Sequence, residues 1–190
     1  KGTLKGRISR WAFAVGKDAR PYLESGDAMP TSLRVRYGIA DRLVFTKLRD
    51  RLGGRLEFMI SGSAKLSTQV QDWFFSAGIL IVEGYGMTET SAVTCVNDPK
   101  TPRFGTVGPA IPGTTLRIAE DGEVLIKGPG VMRGYHKEPE LTAESLVDGW
   151  FHTGDIGHVD ADGYLTITDR KKDLMKTSGG KYVAPQKVEG

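Results

Sequence analysis

Residues 56–85 limit the fold of this chain more than any other stretch. "LEFMI" (56–60) is a short β-prone run that ends at Ser61-Gly62, and "ILIV" (79–82) is a continuous apolar run. Between them Val70, Trp73, Phe74 and Ala77 recur at helical spacing; Thr68 with Gln71 reads as a capping box, and Gly78 as the stop. A strand apolar on both faces, joined to another through a helix, predicts a parallel sheet covered by helices. Ligands of such sheets gather beyond the carboxyl ends of the strands. Two stretches fall there: Ser61-Gly62-Ser63-Ala64 and Tyr85-Gly86-Met87-Thr88-Glu89. Their glycines are expected to let a ligand approach the backbone.

The flanking sequence sets the rest of the expected fold. Ile8, Trp11, Ala12 and Val15 mark one amphipathic helix; after the turn-rich "ESGDAMPTS", Ile39, Leu43, Leu48 and Leu52 mark a second, stopped by Gly53-Gly54. From Thr101 to Thr168 the chain turns to short alternating runs, with Asp121-Gly122 and Asp162-Gly163 as hairpin signals. The prediction is α/β: residues 1–100 form part of a helix-covered parallel sheet and 101–168 a small, mostly antiparallel β subdomain. Residues 169–190, charged and then glycine-rich, form a linker and the start of a C-terminal α+β domain.

Lys plus Arg is 26 and Asp plus Glu 23, a net charge of +3. That balance, without interleaved aromatic and basic residues, argues against a nucleic-acid partner. Cys95 is the single cysteine and has no internal disulfide partner, so the chain reads as cytoplasmic. The sequence contains no apolar stretch near 18 residues, and its first residues are not those of a signal peptide. Oligomeric state is not legible in it.

Several residues carry candidate chemistry, each with a plain alternative. Thr88 and Glu89 offer oxygens to a divalent cation carrying phosphates, or are a turn Thr beside a solvated Glu. Asp155, in "WFHTGDIG", is placed to accept both hydroxyls of a ribose, or to close an Asx-turn. His152 is a candidate base or a structural turn histidine. Arg170, Lys171, Lys172 and Lys176 suit phosphate or ribose oxygens, or form a solvated face. A second basic run, from Arg34 to Arg55, suits anionic lipid or nucleotide phosphate, or again a solvated helix face. There is no Walker loop, G-x-G-x-x-G, paired metal spacing or G-x-S-x-G elbow, so Ser63 has no case as a nucleophile.

Five blocks in one order, "FMISGSAKLS", "VEGYGMTET", "GEVLIKGPGVMRGYHKEPELT", "GWFHTGDIG" and "TDRKKDLMKTSGGKYVAPQKVE", resemble the adenylate-forming superfamily of acyl-CoA synthetases, luciferases and peptide-synthetase adenylation domains. "RLEFMISGSAKLS", "DRKKDL" and "SGGKYVAPQKVEG" look most like bacterial long-chain fatty acyl-CoA ligases. The resemblance implies ATP, Mg²⁺ and coenzyme A: a fatty acid is activated to acyl-AMP, then transferred to the CoA thiol. It implies an adenine pocket at Gly62, Ser63 and Ala64, with Gly84, Tyr85 and Gly86 forming its floor and Tyr85 stacking on the base. Thr88 would meet the α-phosphate, Glu89 would hold Mg²⁺, and Asp155 with Arg170 would take the ribose. Asp169 and Lys172 would lie at the hinge, and Lys176 with Gly179-Gly180 on the face that serves thioester formation.

The family's Ser/Thr/Gly-rich phosphate loop has no match in residues 1–55, and its adenylation lysine would lie beyond Gly190. This chain by itself is therefore expected to be inactive in the full reaction. A ligase for aryl or carrier-protein-bound acids, and a non-catalytic nucleotide-binding fragment, are the competing expectations. Long acyl chains are also compatible with peripheral membrane contact.

Overall fold

The computed structural model describes residues 3–171 and, as backbone alone, the short strands at 175–176 and 182–183. The chain packs as two compact units, residues 1–61 with 66–82, and 62–65 with 83–190. It is mixed α/β, as the sequence predicts.

In the first unit, α1 (Leu4–Ser25) begins where Thr3 Oγ1 accepts the Gly6 N–H, and ends at left-handed Gly26. It is followed by α2 (Thr31–Ala40), a π-helical turn (Asp41–Phe45) and α3 (Thr46–Arg51). Strand β1 (Phe58–Ser61), helix α4 (Thr68–Ser76) and strand β2 (Leu80–Tyr85) complete the expected strand–helix–strand order, with β1 bonded beside β2. The core is Ala12, Val15, Ala40, Phe45, Ala77 and Ile79.

Three expectations change here. Helix α4 starts at Thr68 and is preceded by Ser67, with no side-chain cap bond, so Thr68 and Gln71 form no capping box. Gln71 is instead buried, its Nε2 donating to the Ile81 carbonyl. Val70 and Trp73 are exposed, although Trp73 stacks on Phe13 at 4.3 Å. The predicted stripe of Ile39, Leu43 and Leu52 is also exposed: the π-helical turn adds a residue to the helical repeat, and Phe45 becomes the buried side chain. Within the second basic run, Arg49 is already engaged by Asp41 and the Ala77 carbonyl.

In the second unit, the end of β2 pairs antiparallel with β3 (Cys95–Val96). The expected β subdomain is an antiparallel sheet of β4 (Thr115–Ile118), β5 (Glu123–Lys127), β6 (Leu146–Val147), β7 (Trp150–Val159) and β8 (Leu165–Arg170), with α5 (Pro139–Ser145) ahead of β6. Both Asp-Gly pairs make hairpin turns, Gly122 and Gly163 having φ of +86° and +88°. Cys95, Val124, Ile126 and Leu165 form this unit's core. The remaining described strands, β9 (Met175–Lys176) and β10 (Tyr182–Val183), pair antiparallel with each other.

Candidate functional site

The site is built on an irregularity in β7. Glu123 pairs with Ile156, and Leu125 with His152, so Thr153, Gly154 and Asp155 stand opposite Val124 alone. Bulges of this kind re-aim a side chain, and Gly154 takes the left-handed conformation it needs (φ +71°). Thr153 stabilises it from both sides, donating to the Val124 carbonyl at 2.7 Å and accepting the Asp155 N–H at 3.0 Å.

The result is a buried carboxylate with two side-chain partners. Asp155 is 4% exposed. Its Oδ2 accepts the Tyr85 hydroxyl at 2.6 Å, and its Oδ1 accepts the Arg170 Nε–H at 3.2 Å. Arg170 is its cross-strand neighbour on β8, so sheet register delivers the guanidinium. The Asx-turn alternative does not describe these contacts. Burial, and then Asp155 itself, raise the Tyr85 phenol well above its usual pKa, keeping it protonated as a donor.

A cavity of about 220 Å³ brings together eight of the sequence-predicted residues. Ser63 and Ala64 line one part, Gly84, Tyr85 and Gly86 another, and Asp155, Asp169 and Arg170 a third. Ser63 is held at φ +66°, a conformation costing a non-glycine residue about 1–2 kcal/mol. Gly62 is not part of the lining and lies against the Gly84 carbonyl. Sequence reasoning did not single out Glu83, Gly105, Val107, Ile167 or Thr168, which also line it; single strand and loop residues give no signal of their own.

Gly86 has a further reason to be glycine. A Cβ there would stand 1.5 Å from the Ala92 carbonyl oxygen, so the chain's own turn requires glycine at this position, whatever approaches from the cavity. That turn, the 3₁₀ segment Thr88–Thr90, is fixed by Ala92 N–H to the Met87 carbonyl and by Thr94 to buried Thr90.

Thr88 and Glu89 sit on this turn, outside the cavity lining. Thr88 is exposed and Glu89 half-buried. Glu89 Oε1 accepts the Tyr135 hydroxyl at 3.0 Å, and its carbonyl accepts the Met132 N–H at 2.7 Å. One carboxylate beside one hydroxyl is a hard-oxygen donor set that fits Mg²⁺ carried on phosphates. Tyr135 lies in a block quoted for the resemblance, but no spacing signals its pairing with Glu89.

His152 has a partner already: its Nδ1 lies 3.1 Å from Glu123 Oε2. Lys171 reaches Asp121 at 2.7 Å and Glu123 at 2.8 Å. Lys172 and the side chain of Lys176 lie outside the described residues, as do Gly179 and Gly180.

The family described as AMP-binding enzyme matches residues 25–136. This chain belongs to that family. The member's curated relatives include a long-chain-fatty-acid–CoA ligase of Mycobacterium tuberculosis, 46% identical over 83% of this chain and 26% of its own length. The human long-chain-fatty-acid–CoA ligase 1 is 41% identical over 78% of this chain and 23% of its length. This member of the family thus spans about a quarter to a third of the length of such relatives. Among solved structures, ATP-bound MatB from Rhodopseudomonas palustris superposes with a TM-score of 0.66 at 35% identity, covering 80% of this chain and 33% of that one. O-succinylbenzoate coenzyme A synthetase from Bacillus subtilis, in complex with ATP and magnesium ion, gives 0.63 at 29%, covering 70% and 30%.

Proposed function

We propose that this chain is the adenylate-binding part of an AMP-forming long-chain fatty acid–CoA ligase. In this reading a fatty acid carboxylate oxygen attacks the α-phosphorus of ATP and expels pyrophosphate. The CoA sulfur then attacks the acyl carbon, expels AMP and gives up its proton. Identity of 41–46% to long-chain ligases supports the long-chain acid over an aryl or carrier-bound one.

The observation that carries the reading is the Tyr85–Asp155–Arg170 arrangement within one cavity. Asp155 accepts ribose hydroxyls through lone pairs its two partners leave free, while Arg170 reaches the same sugar. Tyr85, its hydroxyl anchored on Asp155, offers a fixed ring face to adenine, with Ser63 and Ala64 beside it. Little covalent chemistry falls to these side chains; they bind, orient and hold charge. Thr88 would meet the α-phosphate and Glu89 would hold Mg²⁺, which when bound neutralises phosphate charge. Asp169 stands at the end of β8, where the proposed hinge begins; Lys172 and Lys176 keep their proposed hinge and thioester roles. The substrate's long acyl chain also makes peripheral membrane contact part of this proposal.

Calorimetric titration of the chain with AMP and with a non-hydrolysable acyl-AMP analogue tests it. Binding that Asp155→Ala abolishes, with the fold intact by circular dichroism, is the expected result. Equal binding by the Asp155→Ala chain would remove the ribose assignment.

A further inference from the structure

Glu123 is 4% exposed and sits on β5, outside the cavity lining. Its carboxylate nevertheless holds the chain on both sides of the Asp155–Arg170 pair. Oε1 accepts the N–H of Gly154, the residue before Asp155, at 2.8 Å. Oε2 accepts from Nζ of Lys171, the residue after Arg170, at 2.8 Å, and lies 3.1 Å from His152 Nδ1. Asp155 and Arg170 are on different strands, and β7–β8 pairing is itself irregular just beyond them, between Ile156 and Gly157. The ladder is thus interrupted close to where the two side chains meet.

We propose that Glu123 is a positioning residue that sets the geometry of Asp155 and Arg170 by gripping Gly154 and Lys171 together. This inference rests on the reading of that pair as a ribose site. Glu123 replaces the ladder bond that the bulge at Gly154 removes, and it ties the end of β8 back to the sheet through an ammonium. Asp121, at 2.7 Å from the same Lys171 Nζ, shares the ammonium and limits its freedom. Burial opposes a charge on Glu123, yet Lys171, the Gly154 N–H and His152 outweigh it and hold the carboxyl below its usual range. The grip is therefore ionic near neutral pH.

The arrangement separates two kinds of loss. Glu123→Gln keeps an acceptor for Gly154 but gives up the charge facing Lys171. Lys171→Met keeps the carboxylate and removes the ammonium from a half-exposed position. If both act through one contact, their effects on nucleotide binding are not additive.

The test is AMP titration of the 190-residue chain and its variants, with the Arg170 Nε–H resonance followed by NMR as a reporter of its bond to Asp155. We expect Glu123→Gln and Lys171→Met each to weaken AMP binding about tenfold, as loss of a charged hydrogen bond allows. The double variant should be no weaker than Glu123→Gln, and the Arg170 resonance should move in all three. Circular dichroism should stay unchanged. Unaltered affinity and resonance in either single variant would overturn the positioning role while leaving the ribose site standing. Failure of the unaltered chain to bind AMP, or equal binding by Asp155→Ala, would overturn the ribose site and the inference together. Should Glu123→Gln fail to fold, Lys171→Met decides the matter by itself.

Discussion

Tyr135 donates its hydroxyl to Glu89 Oε1 across 3.0 Å, tying the loop before α5 to the turn that follows β2. One carboxylate lone pair is thereby committed, and Glu89 Oε2 is left for a cation. Burial, and then the hydrogen bond to Glu89, raise the Tyr135 phenol above its usual pKa, so it stays a donor through the neutral range. Tyr135→Phe keeps the ring and deletes this bond. Mg²⁺-dependent ATP affinity should fall at least about tenfold, the scale of one hydrogen bond to a charged group. AMP affinity without Mg²⁺ should hold. Titrations with and without the ion separate the two, and equal losses in both would show that Tyr135 supports the fold rather than the carboxylate.

Gly86→Ala should damage the fold before it damages any ligand contact. The added methyl carbon would fall 1.5 Å from the Ala92 carbonyl oxygen, a collision with backbone that no rotamer relieves. Displacing the turn should cost about 3 kcal/mol or more, the range of severe steric changes. Urea denaturation reads this as a lower midpoint. A stable Gly86→Ala chain with weakened nucleotide binding would reverse the assignment and return the glycine to the ligand.

Cys95 should resist thiol reagents in the folded chain. Its side chain is fully buried in the core of the second unit, and burial pushes the thiol pKa up to about 12, leaving almost no thiolate at neutral pH. A chromogenic disulfide reagent should react with it only on unfolding, at a rate set by chain opening. Fast stoichiometric reaction under native conditions would contradict this burial.

These contrasts mark what was legible in the sequence. The strand–helix–strand unit and the hairpins were, because apolar runs and Asp-Gly turns are local signals. The glycine-flanked strand ends contribute Ser63, Ala64, Gly84, Tyr85, Gly86 and Met87 to one cavity lining, alongside residues from other elements. Burial of Ala12 and Val15 in α1 was legible, but that of the stretch from Ile39 to Leu52 was not: the π-helical turn shifts the phase after Asp41, and a period read across it marks the wrong face. Nor was the support around Asp155, because Glu123 meets Gly154 and Lys171 only after a three-residue bulge sets the register of β5 and β7. Such a bulge depends on cross-strand contacts, which a linear pattern does not carry.

The same cluster predicts how stability changes with pH. Asp121 is lowered by its bond to Lys171 and by the Glu123 N–H, and Glu123 is lowered despite burial. Carboxyls depressed on folding stabilise the fold above their unfolded pKa and lose that contribution as pH falls through the folded value. Lys171 is raised by Asp121 and then Glu123, so its contribution is complete below the unfolded lysine pKa and is lost as pH climbs through the folded one. The three groups together should add stability that is level from about pH 5 to pH 10 and declines on both sides. Lys171→Met removes the ion pairs, so the melting-temperature difference from the unaltered chain should be largest on that plateau and shrink below about pH 4 and above about pH 11. A difference that stays constant across the whole range would mean that Lys171 contributes packing alone, and that its contacts with Asp121 and Glu123 add no charge-dependent stability.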